Sequence, residues 1–460
     1  MGIRPPLTCA RKYDLPLFCC GWATTTPSTT QKEEKGEEHA EGKEGKSHES
    51  SLDTSFVILG GGGGDGGTGI TNNLLLACFD HNTDTLSEAV HLLSTEDDPP
   101  YRMAVHPTGH GIVCSFTQSC RLFEMVRTNG SEPDYMKLEP ANKVLTQLQE
   151  VGQQRSLVFS ADGTRFAAGG DDGHLRVFEW PSLRLILDQP EAHRSIRDVD
   201  FSLDSAFLAS TGGSGPCRIW DLSTMATVAS LSLDQARDLG FCRFSRDGTN
   251  PLLFVAVKEG EKGCIAVWNT NNWRKVGVKK FQESPISAFA MSYDGKYLAI
   301  GSSEGDVSII SVAKMTVHQR VKRAHMIFVT SMEFSRDCRA LLSVSADSSA
   351  RVTVIEEVKQ EGTRYQLIAD WAENIVANAD FAAISHRNRL KITLQIKDKD
   401  SVLLEILYLQ IDLGRVLRRY VAQIPSNRIE TAGYRSSAFK ALFVLSLTVK
   451  NKEIPKGAPV

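Results

Sequence analysis

The sequence predicts an all-β fold, a seven-bladed β-propeller followed by an irregular, partly helical C-terminal tail. Three observations carry that prediction. A Phe-Ser-x-Asp pattern recurs from Phe159, Phe201, Phe244 and Phe334, with a related copy at Ser292, at spacings of about 42–47 residues. That is the length of one propeller blade. Each copy then runs through short alternating apolar stretches broken by Asp-Gly-type turns, the signature of short antiparallel strands. Finally, an apolar strand, Phe56-Val-Ile-Leu59, leads straight into a glycine-rich stretch that returns to a second apolar run at Leu74–Phe79.

Taken in order, the copies are readily placed. Phe159-Ser-Ala-Asp-Gly163 leads to Phe166-Ala-Ala-Gly-Gly170 and Leu175-Arg-Val-Phe-Glu-Trp180; Phe201-Ser-Leu-Asp204 leads to Phe207-Leu-Ala209 and Cys217-Arg-Ile-Trp-Asp221. Phe244-Ser-Arg-Asp-Gly248, Ser292-Tyr-Asp-Gly295 and Phe334-Ser-Arg-Asp337 open three more, and a fainter copy begins at Val105-His-Pro-Thr-Gly109. These make six blades between residues 100 and 355. Residues 56–99 supply most of a seventh. The apolar segment Tyr13–Trp22 needs a sheet to join, and pairing it with the last blade closes the ring and removes an exposed edge. The expected organisation is an N-terminal tail over 1–12, the propeller over 13–24 and 55–356, a disordered charged insertion over 25–54, and a divergent tail over 357–460. Within that tail Ser401–Gln423 reads as an amphipathic helix.

Bulk composition narrows function by exclusion. A formal net charge of -3 over 460 residues, with 23% charged and 41% hydrophobic residues, describes an ordinary globular chain. It offers no basic field for nucleic acid. The ten cysteines include no Cys-x-x-Cys pair, which fits buried free thiols of a reducing compartment better than a disulfide or zinc framework. Arg4, Arg11, Lys12 and Asp14 interrupt the first residues, so no secretory signal is read there. No apolar run reaches the length of a spanning helix; Val402–Leu413 is broken by Glu405 and Gln410. No Ser/His/Asp order, His-Glu-x-x-His or paired carboxylates stand out, so covalent catalysis is not expected. Ala192-His193 and Ala324-His325 precede two copies and Trp220-Asp221 ends one, degenerate Gly-His and Trp-Asp marks of WD-repeat blades. These histidines are expected to tie turns to strands.

The glycine stretch has three readings. A phosphate loop would end in Gly-Lys-Ser/Thr, and no Lys follows here. The Gly-x-Gly-x-x-Gly pattern is matched trivially and lacks a following helix. A long flexible hairpin connection is the plain alternative. The third reading rests on resemblance. Gly61-Gly-Gly-Gly64, four residues, then Gly69-Ile-Thr-Asn72 resembles the GGGG-x4-GI-x-N signature of the Sec-twelve family. That family comprises the exchange factors for the Sar-family GTPase that starts COPII coat assembly. The segments YDLPLFCCGW, YRMAVHPTGHGIVCS, KVLTQLQEVGQQ, GHLRVFEWPSL and AHRSIRDVDFSLDS also resemble plant members, over residues 13–24 and 55–356.

The resemblance implies a guanine-nucleotide exchange factor, not an enzyme of covalent chemistry, acting in transport from the endoplasmic reticulum to the Golgi. It places Gly69, Ile70, Thr71 and Asn72 at the GTPase-contacting tip. It implies a potassium ion (K+) in the loop, with Gly61, Gly62, Gly63, Gly64 and Asp65 as the positions to consider. It implies residence on the cytosolic face of the endoplasmic reticulum by a spanning helix after the last blade. Residues 357–460 depart from that pattern, and a chain without the anchor is expected in the cytosol. The alternative function is a WD-repeat scaffold or cargo-exit facilitator without exchange activity. The retained Gly-Ile-x-Asn element favours exchange.

Overall fold

The computed structural model describes residues 8–23, 54–64, 67–109, 111–127, 136–213, 215–233 and 238–356, together with strands at 389–394 and 407–412. The chain divides into two units, Met1–Glu356 and Glu357–Val460. In the first, seven four-stranded antiparallel sheets form the blades. Blade 1 runs outward from Leu17–Ala23 through Thr54–Gly61 and Asn73–Asp80 to Thr85–Ser94. The inner strands of blades 2 to 7 are Arg102–Val105, Gln154–Phe159, Ile196–Phe201, Asp238–Phe244, Ile286–Met291 and Val329–Phe334. Each touches the inner strand of the next, and that of blade 7 touches Leu17–Ala23, so the ring is closed.

The strand that completes blade 7 is not the one expected. Thr8–Lys12 pairs antiparallel with Ser349–Val354, from Thr8 opposite Thr353 to Lys12 opposite Ser349. Tyr13–Trp22, predicted to fill that role, instead turns inward and supplies the inner strand of blade 1. The reason lies in burial. Leu17 and Trp22 are buried, and side chains that apolar gain most at the crowded centre of the ring. The polar Thr8–Lys12 suits the rim. The propeller therefore begins within the segment read as an N-terminal tail, and Arg11 Nε (2.8 Å to Leu86 O) and Tyr13 Oη (2.9 Å to Ser87 O) fasten it to blade 1.

The core is a set of wedges between blades. One joins Leu342, Val344 and Val352 of blade 7 to Leu17, Val57, Leu75 and Phe79 of blade 1. Another joins Ile58, Leu74 and Leu76 to Ile112, Cys114 and Phe116 of blade 2. Because each buried Leu, Ile or Phe is worth about 1.5–3 kcal/mol, no blade is stable without its neighbours.

The repeated Ser-x-Asp is a self-bonded turn. Ser202 Oγ donates to Asp204 (2.6 Å), Ser292 to Asp294 (2.7 Å) and Ser335 to Asp337 (2.5 Å). The WD-type histidines are structural, as their spacing predicts. His325 meets Ser343 Oγ at 2.9 Å and Ser349 Oγ at 2.6 Å; His193 and Trp220 converge on Ser210 Oγ at 2.9 and 2.8 Å. The ten cysteines are free thiols, and burial pushes those of Cys19 and Cys217 up to about 12.

In the second unit, Arg389–Leu394 and Leu407–Asp412 form an antiparallel hairpin, Arg389 opposite Asp412. Over Leu407–Asp412 this corrects the expected helix Ser401–Gln423, whose other residues lie outside the described ones. Leu407, Leu409 and Ile411 alternate with polar or aromatic residues, and so do Leu390, Ile392 and Leu394; period two outweighs the helical reading there. The charged insertion lies outside the described residues except for Thr54, which opens a strand. Among the described residues no helix is long and apolar enough to cross a membrane.

Candidate functional site

The glycine stretch connects the second and third strands of blade 1, whose ladder ends with Gly61 opposite Asn73. Its described residues, 62–64 and 67–72, therefore lie at the face where the inner strands begin. The base of this loop is built by contacts only glycine permits. A Cβ on Gly61 would stand 1.8 Å from Pro16 O, and one on Gly62 would stand 2.0 Å from Asn72 Oδ1. Gly62 N donates to Pro16 O at 3.0 Å, seating the loop on the segment that enters blade 1. One on Gly63 would stand 2.1 Å from Thr68 Oγ1 and 2.9 Å from Ile70 O.

Asn72 is where expectation and structure part. Read as a contact residue at the tip, it is 2% exposed at the base. Its Oδ1 accepts from Gly64 N at 3.0 Å, and its Nδ2 donates to Glu96 O at 3.0 Å and Gly64 O at 3.4 Å. Its own carbonyl accepts from Thr95 N at 2.9 Å. The side chain faces inward because Gly62 leaves it room. Asn72 is thus a clamp joining both ends of the loop to the connection toward blade 2.

With the base clamped, the tip is presented. Gly69 has φ +74°, and it, Ile70 and Thr71 are exposed. Ile70 shows 38% of its surface, and its N–H is held by Thr68 Oγ1 at 3.3 Å. Thr71 Oγ1 accepts from Asn73 Nδ2 at 2.7 Å, which ties the returning limb to the ladder. An apolar side chain held outward on an ordered turn is suited to a partner's pocket.

The loop has no clustered carboxylates or imidazoles. Among the described residues no group of three or more His, Cys, Asp or Glu is placed to hold a metal. The oxygens that do gather, Thr68 Oγ1, Ile70 O and Asn72 Oδ1, line the space beside Gly62 and Gly63 that a Cβ would fill. Neutral oxygens of this kind fit a monovalent cation, which carbonyl and hydroxyl groups strip of water. Asp65 lies outside the described residues. What sequence reasoning missed was Pro16 and Glu96, the loop's two supports; their contribution is a backbone carbonyl and leaves no mark on residue type.

Comparison with known proteins bears on the propeller and on the family. The WD domain, G-beta repeat family matches over residues 146–179 and 186–221. The chain is 42% identical over 295 residues to SEC12-like protein 2 of Arabidopsis thaliana, covering 64% of this chain and 74% of that one. It is 38% identical over 322 residues to SEC12-like protein 1 of the same plant, covering 68% and 79%. To the guanine nucleotide-exchange factor SEC12 of Rattus norvegicus it is 24% identical over 246 residues, 48% of this chain and 59% of that protein. On the extent of the two plant matches, the chain belongs to the SEC12-like family.

Proposed function

We propose that this protein is a guanine-nucleotide exchange factor for a Sar-family small GTPase, acting at the cytosolic face of the endoplasmic reticulum to start COPII vesicle formation. The observation that carries the reading is Ile70, exposed on a turn whose base is locked by Asn72. Exchange requires no covalent chemistry from the loop. A surface that binds the nucleotide-free GTPase more tightly than its GDP form lowers the affinity for GDP by the same factor. A tip ordered before binding pays less entropy on docking than a free glycine chain would. In this reading Ile70 enters an apolar pocket beside the nucleotide, Gly69 lets the backbones approach closely, and Thr71 lies at the rim of the contact.

The same reading assigns a potassium ion to the loop, with Gly61, Gly62, Gly63, Gly64 and Asp65 as the expected holders. Thr68, Ile70 and Asn72 supply further oxygens beside them. The ion would hold the loop's carbonyls together and leave the tip pointing outward. Replacing potassium by a bulky organic cation should then slow exchange without lowering the melting temperature of the propeller.

The test is GDP release from a plant Sar-family GTPase, followed by fluorescence, with the full chain in potassium buffer. Catalytic acceleration that Ile70→Ala lowers about tenfold or more supports the proposal. A folded chain that gives no acceleration overturns it in favour of the scaffold or cargo-exit reading.

A further inference from the structure

A cavity of about 360 Å3 runs along the axis of the propeller. Its mouth opposite the glycine loop is shaped by the residues that follow the inner strands, Arg246 of blade 5, Tyr293 of blade 6 and Arg336 of blade 7. The Arg336 guanidinium carbon lies over the Tyr293 ring at 4.2 Å from its centroid, and that of Arg246 at 5.4 Å.

The acids nearby are already engaged. Glu333 accepts from Tyr293 Oη at 2.8 Å and from Trp22 N at 3.0 Å. Asp200 accepts from Phe244 N at 2.7 Å, and its other oxygen stands 3.6 Å from Arg246 Nη2, an ion pair without a hydrogen bond. Burial raises the pKa of both carboxyls, and the neighbouring arginines oppose that rise. Among the described residues neither Arg246 nor Arg336 donates a hydrogen bond, and Arg336 Nε is buried without an acceptor. A guanidinium has five N–H donors. Two guanidiniums partly withdrawn from water, one with its Nε unpartnered and the other held by a 3.6 Å ion pair, gain from an acceptor in the mouth.

We propose that this mouth binds a small phosphorylated ligand, its phosphate oxygens taken by Arg246 and Arg336 on either side of blade 6. Phosphate matches the planar fork of a guanidinium and can be held bidentately. Two forks on different blades suit a ligand carrying more than one phosphate, and the cavity lies within the size range of small-molecule sites. The ligand is a free polyphosphorylated compound or the headgroup of a phosphorylated lipid. The site is separate from the glycine loop and stands or falls apart from the exchange reading.

The experiment titrates the full chain by calorimetry with pyrophosphate and with inositol trisphosphate. In parallel it is sedimented with phosphatidylcholine vesicles, with and without phosphatidylinositol bisphosphate. Saturable binding at physiological salt is expected, weakened about tenfold by Arg246→Gln or Arg336→Gln and more by the pair. Lys296→Gln, which removes an exposed charge beyond the mouth, should change nothing. Capture by phosphoinositide vesicles that Arg336→Gln abolishes identifies the headgroup as the source; binding of the soluble probes alone identifies a free ligand. Should a glutamine variant fail to fold, Arg336→Lys, which keeps charge without the fork, takes its place and should still weaken binding. No binding of any probe by the unmodified chain overturns the proposal, as does binding that Lys296→Gln weakens as much as Arg336→Gln.

Discussion

Blades 1 and 7 are neighbours in the ring, yet they treat the same connection, from second strand to third, in opposite ways. In blade 7 it is the short turn 346–348 between Ala340–Ser345 and Ser349–Val354. Asp347 closes it, accepting from Ser349 N at 2.9 Å and Met326 N at 2.5 Å, and His325 bonds Ser343 and Ser349 beneath it. In blade 1 the connection is 62–72, and the closing side chain is the amide of Asn72, which bonds Gly64 and Glu96. Both ties reach from the turn to the strand-to-strand connection beside it. Lengthening the loop costs little in closure entropy, on the order of 1 kcal/mol. The difference is that blade 7 uses its polar groups to finish the turn, whereas blade 1 uses one amide to hold a longer loop out from the face.

The sharpest way to break this comparison is at the base glycines. Gly61→Ala sets a methyl 1.8 Å from a backbone oxygen at Pro16, which cannot swing aside as a side-chain tip would. We expect a loss of about 3 kcal/mol in urea unfolding and no exchange stimulation. Ser345→Ala at the matching edge of blade 7 removes two bonds of the hydroxyl, Oγ to Phe328 O at 2.8 Å and Asp347 N to Oγ at 3.3 Å. It should cost about 1 kcal/mol. Equal costs at the two positions would mean that the glycines do not define the base.

Next in size is the clamp. Asn72→Ala leaves Gly64 N and Glu96 O without their partner and should cost about 1–3 kcal/mol. Amide exchange should speed up at Gly64 while Leu74–Leu76 stay protected. Exchange activity should fall with it, through loss of a fixed tip and not of a contact. Asn72→Asp keeps the acceptor for Gly64 N but sets a buried carboxylate oxygen against the Glu96 and Gly64 carbonyls, so it should cost at least as much as alanine. Unchanged protection at Gly64 in Asn72→Ala would return Asn72 to the role of a contact residue.

Much of this was legible in the chain because a propeller repeats itself. Phe-Ser-x-Asp survives because Ser and Asp must bond each other in every turn. The glycine loop was legible for the converse reason, since only close backbone approach demands glycine at Gly61 and Gly62. Thr8–Lys12 escaped, for a lone polar strand carries no periodicity and its partner, Ser349–Val354, is neighbouring in space but lies at the far end of the propeller's sequence. The direction of the Asn72 side chain escaped too. It depends on Gly61 pairing with Asn73, a register that residue types near a loop do not specify.

The ties also differ in what titrates. Burial holds the imidazoles of His325 and His193 down to about 4, well below the ordinary 6.5, so the native ring keeps them neutral. Protons bind the unfolded chain first. Their stabilisation is complete above about pH 6.5 and is lost as pH falls through that value toward 4, on the order of 1–3 kcal/mol each. His193→Gln should flatten that part of the melting-temperature profile relative to wild type. The Asn72 clamp does not titrate, so protection at Gly64 should hold across the same range if the blade 1 loop is independent of the histidine network.

The smallest expected effect on the fold belongs to Ile70. Its side chain is exposed on the tip, and its only described bond there is made by the backbone N–H. Ile70→Ala should therefore change unfolding free energy by no more than about 0.5 kcal/mol and leave protection at Gly64 untouched. If the tip is an anchor, GDP release slows about tenfold or more with the clamp intact, separating it from Asn72→Ala, where clamp and activity fail together. Ile70→Val, which trims one methyl and keeps the branch, should retain most of the rate. A loss in valine as large as in alanine would point to backbone geometry at Gly69–Thr71 as the source of the effect, since an apolar pocket grades its response with the methyl groups it receives.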